Sequence, residues 1–144
     1  MNKILTFLFI LFLPLISDAQ SESEKPTLLI EISNIKKAKG SIKIAVYDHK
    51  DRFLGDELLL GKSIEVTNSG SMIIPLEELP HGTYAISLYH DKNNNDKLDT
   101  NFIGIPNEPY GFSNNARGTF GPPKFEKAKF HFNPLLGKIR VKLK

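Results

Sequence analysis

The chain has 144 residues, no cysteine, no tryptophan and a formal net charge of +3. The missing cysteine excludes disulfides, thiol catalysis and a lipidated N-terminal Cys. The cations are mostly lysines scattered among acids, with Arg52, Arg117 and Arg140 as the arginines, and they lack the aromatic interleaving of a nucleic-acid platform, so no nucleic-acid partner is expected.

Met1-Asn2-Lys3 precedes an apolar run from Ile4 to Ile16, followed by Ser17-Asp18-Ala19. That order of charged, apolar and small residues is the pattern of a secretory signal peptide. The run falls short of the ~20 residues that a membrane-crossing helix needs. We therefore expect residues 1–19 to be cleaved, leaving an exported chain, periplasmic or extracellular, with no transmembrane anchor. Cleavage removes one base, Lys3, and one acid, Asp18, so the charge stays at +3. Residues 20–26 are polar and charged, which predicts a disordered lead-in. Residues 27–144 are near the common size of one domain.

The domain reads in period two. Leu28, Ile30 and Ile32 alternate with Leu29, Glu31 and Ser33, and Ile42, Ile44 and Val46 alternate with Lys43, Ala45 and Tyr47. Asp51–Leu60 is the exception, with Phe53, Leu54, Leu58 and Leu59 on one face of a possible short helix that Gly55 weakens and Gly61 ends. It reads better as a connection packing Phe53 against a sheet. Ile64 and Val66 predict a third strand, Met72–Leu76 a fourth after the Asn68-Ser69-Gly70 turn, and Tyr84–Tyr89 a fifth. In Leu79-Pro80-His81-Gly82-Thr83-Tyr84, a proline and a glycine bracket a tight entry that delivers a tyrosine able to bond across the corner. Phe130 and Phe132, then Ile139, Val141 and Leu143, complete the set on either side of a turn at Pro134–Gly137. The fold class is all-β: a single antiparallel sandwich of about seven strands.

The stretch from Asp91 to Lys127 breaks the alternation, whereas most loops in compact domains have ~4–6 residues. It holds Phe102, Ile103, Ile105, Tyr110, Phe112, Phe120 and Phe125, so it is expected to fold back as an ordered cap over the sandwich. Its first part, Asp91-Lys92-Asn93-Asn94-Asn95-Asp96-Lys97-Leu98-Asp99, puts oxygen side chains at relative positions 1, 3, 5 and 9 of a calcium-loop pattern. Calcium wants six to eight hard oxygens around one point, and Asp91, Asn93, Asn95 and Asp99 are the candidate ligands. Asp96 stands where the turn prefers glycine, and the twelfth position is Phe102 rather than a bidentate Glu. The competing reading is a turn held by Asn and Asp side-chain caps.

The second part carries Gly104-Ile105-Pro106-Asn107-Glu108-Pro109-Tyr110-Gly111-Phe112-Ser113-Asn114-Asn115-Ala116, then Arg117, then Phe120-Gly121-Pro122-Pro123-Lys124-Phe125. With the Leu79–Tyr84 turn and the Asp91–Asp99 run, this pattern resembles the bacterial secreted "domain of unknown function 2141" family. The resemblance spans essentially the whole domain and implies a secreted β-sandwich of transthyretin-like or immunoglobulin-like kind with no assigned reaction. No catalytic residue carries over from it.

Aromatics on a path fixed by Gly and Pro, with polar groups between them, suit a binding surface for a small polar molecule, a carbohydrate or a protein. The candidate binding residues are Glu108, Tyr110, Phe112, Ser113, Asn114, Asn115 and Arg117. The same residues also suit a loop that satisfies its own backbone. An enzyme would recruit His81, His90 or His131 with Asp91 or Glu108, and Ser113 as nucleophile. No G-x-S-x-G, H-E-x-x-H or phosphate-cradling loop supports that. The sequence therefore favours a non-enzymatic binding or structural module, with a hydrolase built on the Asp91–Arg117 loop as the alternative.

Overall fold

The computed structural model describes residues 26–144, so the expected signal peptide and nearly all of the lead-in lie outside the described residues. Among the described residues, eight strands form two sheets. Strands β1 (Leu28–Ile35), β4 (Gly70–Leu76) and β8 (Lys138–Lys142) make a three-stranded sheet in the order β4-β1-β8. Strands β2 (Ser41–Tyr47), β3 (Leu60–Glu65), β5 (Gly82–Asp91) and β6 (Tyr110–Phe112) run in the order β3-β2-β5-β6, and β7 (Phe130–Phe132) also pairs with β5. One four-residue helix, α1 (Phe125–Ala128), and a 3-10 turn at Ser113–Asn115 complete the elements.

Period two explains the core. Leu28, Ile30 and Ile32 of β1, Ile42, Ile44 and Val46 of β2, Ile86 and Leu88 of β5, and Val141 of β8 are buried in one cluster shared by both sheets. Each such side chain contributes ~1.5–3 kcal/mol when fully removed from water. Tyr84 joins this cluster, and its hydroxyl donates to the Pro80 carbonyl at 2.8 Å, so the tight entry is tied as its sequence predicts.

One expectation is corrected. The sheets are not wholly antiparallel: β8 pairs parallel with β1, Leu29 opposite Lys138 through Ser33 opposite Lys142. The turn after β7 carries the chain from one sheet to the other, where Leu29 N–H bonds the Gly137 carbonyl, so no hairpin forms. As expected, Asp51–Leu60 is a connection and not a helix, a series of turns with Leu54 at φ +64° that leads into β3. Phe53 packs as expected, 5.4 Å from the Tyr47 ring and 5.7 Å from Phe125.

The sheets meet along one side. Tyr110 and Lys144 exchange backbone hydrogen bonds at 3.3 and 3.1 Å, so the end of the chain joins β6. Gly111 permits this approach, since a Cβ there would lie 2.7 Å from Val141 Cγ1.

Candidate functional site

The exposed edge of β5 is completed in three pieces. β6 covers Ser87–Tyr89 and β7 covers Gly82–Tyr84. Between them, the Ile86 N–H donates to Ser113 Oγ at 2.9 Å, and that hydroxyl donates to the Ala128 carbonyl at 2.6 Å. A side chain thus replaces a missing rung of the ladder, and Ser113 is completely buried. The next two residues do related work from left-handed backbone, at φ +58° and +49°. Asn114 Nδ2 donates to the carbonyls of Lys127 and Lys129, and Asn115 Oδ1 accepts from the Lys142 N–H.

The acidic segment closes on itself. Asp91, fully buried at the end of β5, accepts from the N–H groups of Asn95 (3.2 Å) and Asp96 (2.9 Å). Lys43 Nζ stands 4.0 Å from Asp91 and pairs with Asp96. Asn93 and Asn95 each accept a backbone N–H through Oδ1 and donate through Nδ2 to Asp99, at 2.7 and 2.9 Å. Those two donors, Asn95 first, hold the Asp99 carboxyl below its usual range. Glu108, also buried, bridges the Lys92 N–H (2.8 Å) and the Asp99 N–H (3.2 Å). The calcium candidates Asp91, Asn93, Asn95 and Asp99 are therefore joined in one hydrogen-bonded knot. Among the described residues, no group of three or more His, Asp or Glu side chains gathers as a metal cluster. The oxygen set is two carboxylates and two amides.

Beyond Asp99 the chain makes a stiff tip. Thr100 bridges Pro106, Asn101 N–H bonds the Ile105 carbonyl, and Asn101 Oδ1 accepts from the N–H groups of Ile103 and Ile105. A second tip, Gly118–Pro122, is pinched at its feet, since a Cβ on Gly118 would lie 2.2 Å from the Gly121 carbonyl oxygen. The loop's aromatics divide. Phe112, Ala116, Phe125 and Ala128 pack with Tyr47 and Ala85 in a second, smaller cluster on the outer face of the five-stranded sheet. Phe102, Ile103, Ile105 and Phe120 stay exposed, against the expectation that the stretch would bury them, because locked tip backbones hold them away from the sheet.

Between the two tips runs a groove of about 650 Å³. Tyr47, Tyr89 and Tyr110 wall it from the sheet, Leu98 from the acidic segment, Ile105 and Pro106 from the first tip, and Gly118, Gly121 and Pro122 from the second. The Tyr89 hydroxyl is held above its usual pKa by burial, then by the charges of Asp91, Asp96, Glu108 and Asp99, which sets this wall beside the acidic segment.

Of the seven candidate binding residues, Tyr110 and Phe112 line the groove. Phe112, Asn115 and Arg117 line a smaller hollow of about 370 Å³ beside β8. Glu108, Ser113 and Asn114 tie backbone instead. Sequence reasoning missed Tyr47 and Tyr89 as groove walls. The available signal was two tyrosines at outward positions of strands that turn out to be neighbours, with Lys43 opposite Tyr89 and Tyr47 opposite Ala85. The histidines sit apart from Ser113: His90 Nε2 bonds the Lys39 carbonyl, His131 contacts Thr83 Oγ1, and His81 packs on Phe132.

Residues 30–136 match a family described as "Uncharacterized protein conserved in bacteria (DUF2141)". No curated protein and no solved structure matches the chain.

Proposed function

We propose that this chain, which belongs to the DUF2141 family of uncharacterized bacterial proteins, is an exported, non-enzymatic β-sandwich that binds a small ligand in the groove between its two tips. The observation that carries this reading is the groove itself. Its volume lies within the ~300–1,000 Å³ typical of small-molecule sites, and three tyrosines on a rigid sheet face it. Tyrosine offers a flat apolar face with a polar end at low entropic cost, which fits a carbohydrate-like molecule having one apolar side. In this reading the long loop is the cap of the sandwich. Glu108, Ser113, Asn114 and Asn115 serve it by fixing backbone, while Tyr110 remains available to a ligand in the groove.

p-Nitrophenyl glycosides separate binding from hydrolysis in one experiment. A binding module shifts the ring resonances of Tyr47, Tyr89 and Tyr110 saturably and releases no nitrophenolate. Release above the uncatalysed rate, lost in Ser113→Ala or Glu108→Gln variants that remain folded, would establish the hydrolase instead.

A second reading, calcium held by Asp91, Asn93, Asn95 and Asp99, is favoured by one detail. Asp96, sixth in the run, takes φ +61°, the left-handed turn that calcium loops use at that position. Asp91 receives the fifth and sixth N–H groups around the same bend. An extracellular-type site of Kd ~10⁻⁴–10⁻³ M would add ~1–3 kcal/mol of stability in calcium at 10–100 times Kd. The melting temperature should rise with calcium and not in Asp91→Asn. An unchanged melting curve with calcium or chelator sinks this reading.

A further inference from the structure

We propose that the two tips flanking the groove form a docking surface for an anionic lipid bilayer. This goes beyond the ligand reading, because Phe102, Ile103 and Phe120 do not line the groove. Phe102 and Phe120 are 99% and 101% exposed, and Ile103 and Ile105 add 65% and 55%. Single exposed apolar residues need no explanation, but these sit on two separate segments that wall one groove. Neither display follows from a loose chain. Asn101 pins the first tip through both its side chain and its backbone, and the second turns back on itself so closely that no Cβ fits at Gly118. The molecule holds bulky apolar groups out in water on prepared supports.

Charge selects the occupant. The acids near the tips are each engaged: buried Asp91 and Glu108 by backbone N–H groups, Asp99 by two amides, and Asp96, whose side chain stays 78% exposed, by Lys43. By contrast, the Arg117 and Lys124 side chains, at the two feet of the second tip, have no acid partner among the described residues. Lys144 lies on the groove wall with its ammonium 4.9 Å from the Tyr110 ring centre. Apolar tips between unneutralised cations match a surface with an apolar interior beneath anionic headgroups. A fluid bilayer also accepts two separated projections, whereas a rigid protein face must be shaped to both. Among the described residues no helix is long and apolar enough to cross a membrane.

The absence of tryptophan gives a clean probe. Phe102→Trp, Phe120→Trp and, as a control on the outer face of the three-stranded sheet, Ile73→Trp each supply the chain's single indole. Emission is followed on titration with vesicles of phosphatidylcholine containing phosphatidylglycerol and bearing brominated acyl chains. The expected result is a blue shift and quenching at positions 102 and 120 but not at 73. The vesicle concentration needed should rise at least about tenfold in Arg117→Glu/Lys124→Glu. Because quenching reports depth at each tip, attachment through the apolar Ile4–Ile16 run alone gives no signal at 102 or 120 and counts against the proposal. Equal response at all three positions, or equal binding to pure phosphatidylcholine, also overturns it. A blue shift that grows with protein concentration and without lipid would assign the tips to a second copy of the chain, and the lipid proposal fails.

Discussion

Replacing Ser113 with alanine isolates the side-chain rung that bridges β6 and β7. The hydroxyl accepts from the Ile86 N–H at 2.9 Å and donates to the Ala128 carbonyl at 2.6 Å, and Ile86, Ala128 and Ser113 are all fully buried. Alanine leaves one buried donor and one buried acceptor unpaired, at ~1–3 kcal/mol each, so a loss of roughly 2–6 kcal/mol is expected. Against a typical total of ~5–15 kcal/mol, that is a large fraction. Urea unfolding should show the midpoint falling by about 1–3 M at unchanged slope, taking m as ~2 kcal/mol/M. Hydrogen exchange at the Ile86 amide should lose most of its protection while Leu88, inside the β5–β6 pairing, keeps its own. A stability within about 0.5 kcal/mol of the parent, below the ordinary range for a lost buried bond, would refute the rung. Ser113 would then be free for another role.

The Asp99 carboxyl, lowered by hydrogen bonds from Asn95 and Asn93, makes the acidic segment sensitive to acid. A folded-state value below the unfolded one means a contribution fully present above the unfolded value of about 4 and lost as pH falls through the folded value. Glu31, lowered chiefly by the hydrogen bond from Lys138, adds in the same direction on the other sheet. The melting temperature should therefore drop below about pH 4, and the drop should shrink in Asn93→Ala/Asn95→Ala; an identical acid limb in that variant removes Asp99 from the account. Gly111→Ala puts a methyl 2.7 Å from Val141 Cγ1 and 3.2 Å from the Lys142 carbonyl oxygen, where the sheets join. It should destabilise by ~1–3 kcal/mol in thermal or urea unfolding, and a neutral effect would mean that the β6–β8 seam is loose.

The strands were legible because burial on one face imposes a strict period, and Leu28 to Ile32 or Ile42 to Val46 admit one register of faces. Chain direction was not. Nothing in Lys138–Lys142 distinguishes parallel from antiparallel pairing, since both leave Val141 inward; the decision lies in where the Asn133–Gly137 turn delivers the chain. The loop was legible in outline and misleading in detail. Phe112 and Phe102 have the same hydrophobicity, yet one packs against the outer face of the five-stranded sheet and the other stands on a tip. The difference is made by backbone hydrogen bonds at Asn101, which no hydropathy pattern encodes. Ser113, Asn114 and Asn115 suit a binding surface and a self-structured loop equally by sequence, but polar groups within a long ordered loop must first satisfy its backbone. Two of them do so from left-handed conformations that asparagine tolerates better than most residues.

The acidic segment and the first tip are mechanically one element, which ties the proposals together. From Glu108 the bonds run to the Lys92 and Asp99 N–H groups, from the Asn107 N–H to the Asp99 carbonyl, through the Thr100–Pro106 bridge, and to Asn101 beneath Phe102. Anything that stiffens Asp91–Asp99 reduces the freedom that Phe102 must lose on entering a bilayer. Calcium in that segment and lipid at the tip should therefore favour each other, by equal factors in each direction because linkage is reciprocal. The measurement is the Phe102→Trp vesicle titration with calcium and with chelator, repeated in Asp91→Asn. Calcium should lower the required lipid concentration at position 102 more than at position 120, and Asp91→Asn should abolish the difference. Equal gains at both tips would point to calcium bridging the lipid headgroups, and the mechanical link from Glu108 to Phe102 would then carry no coupling.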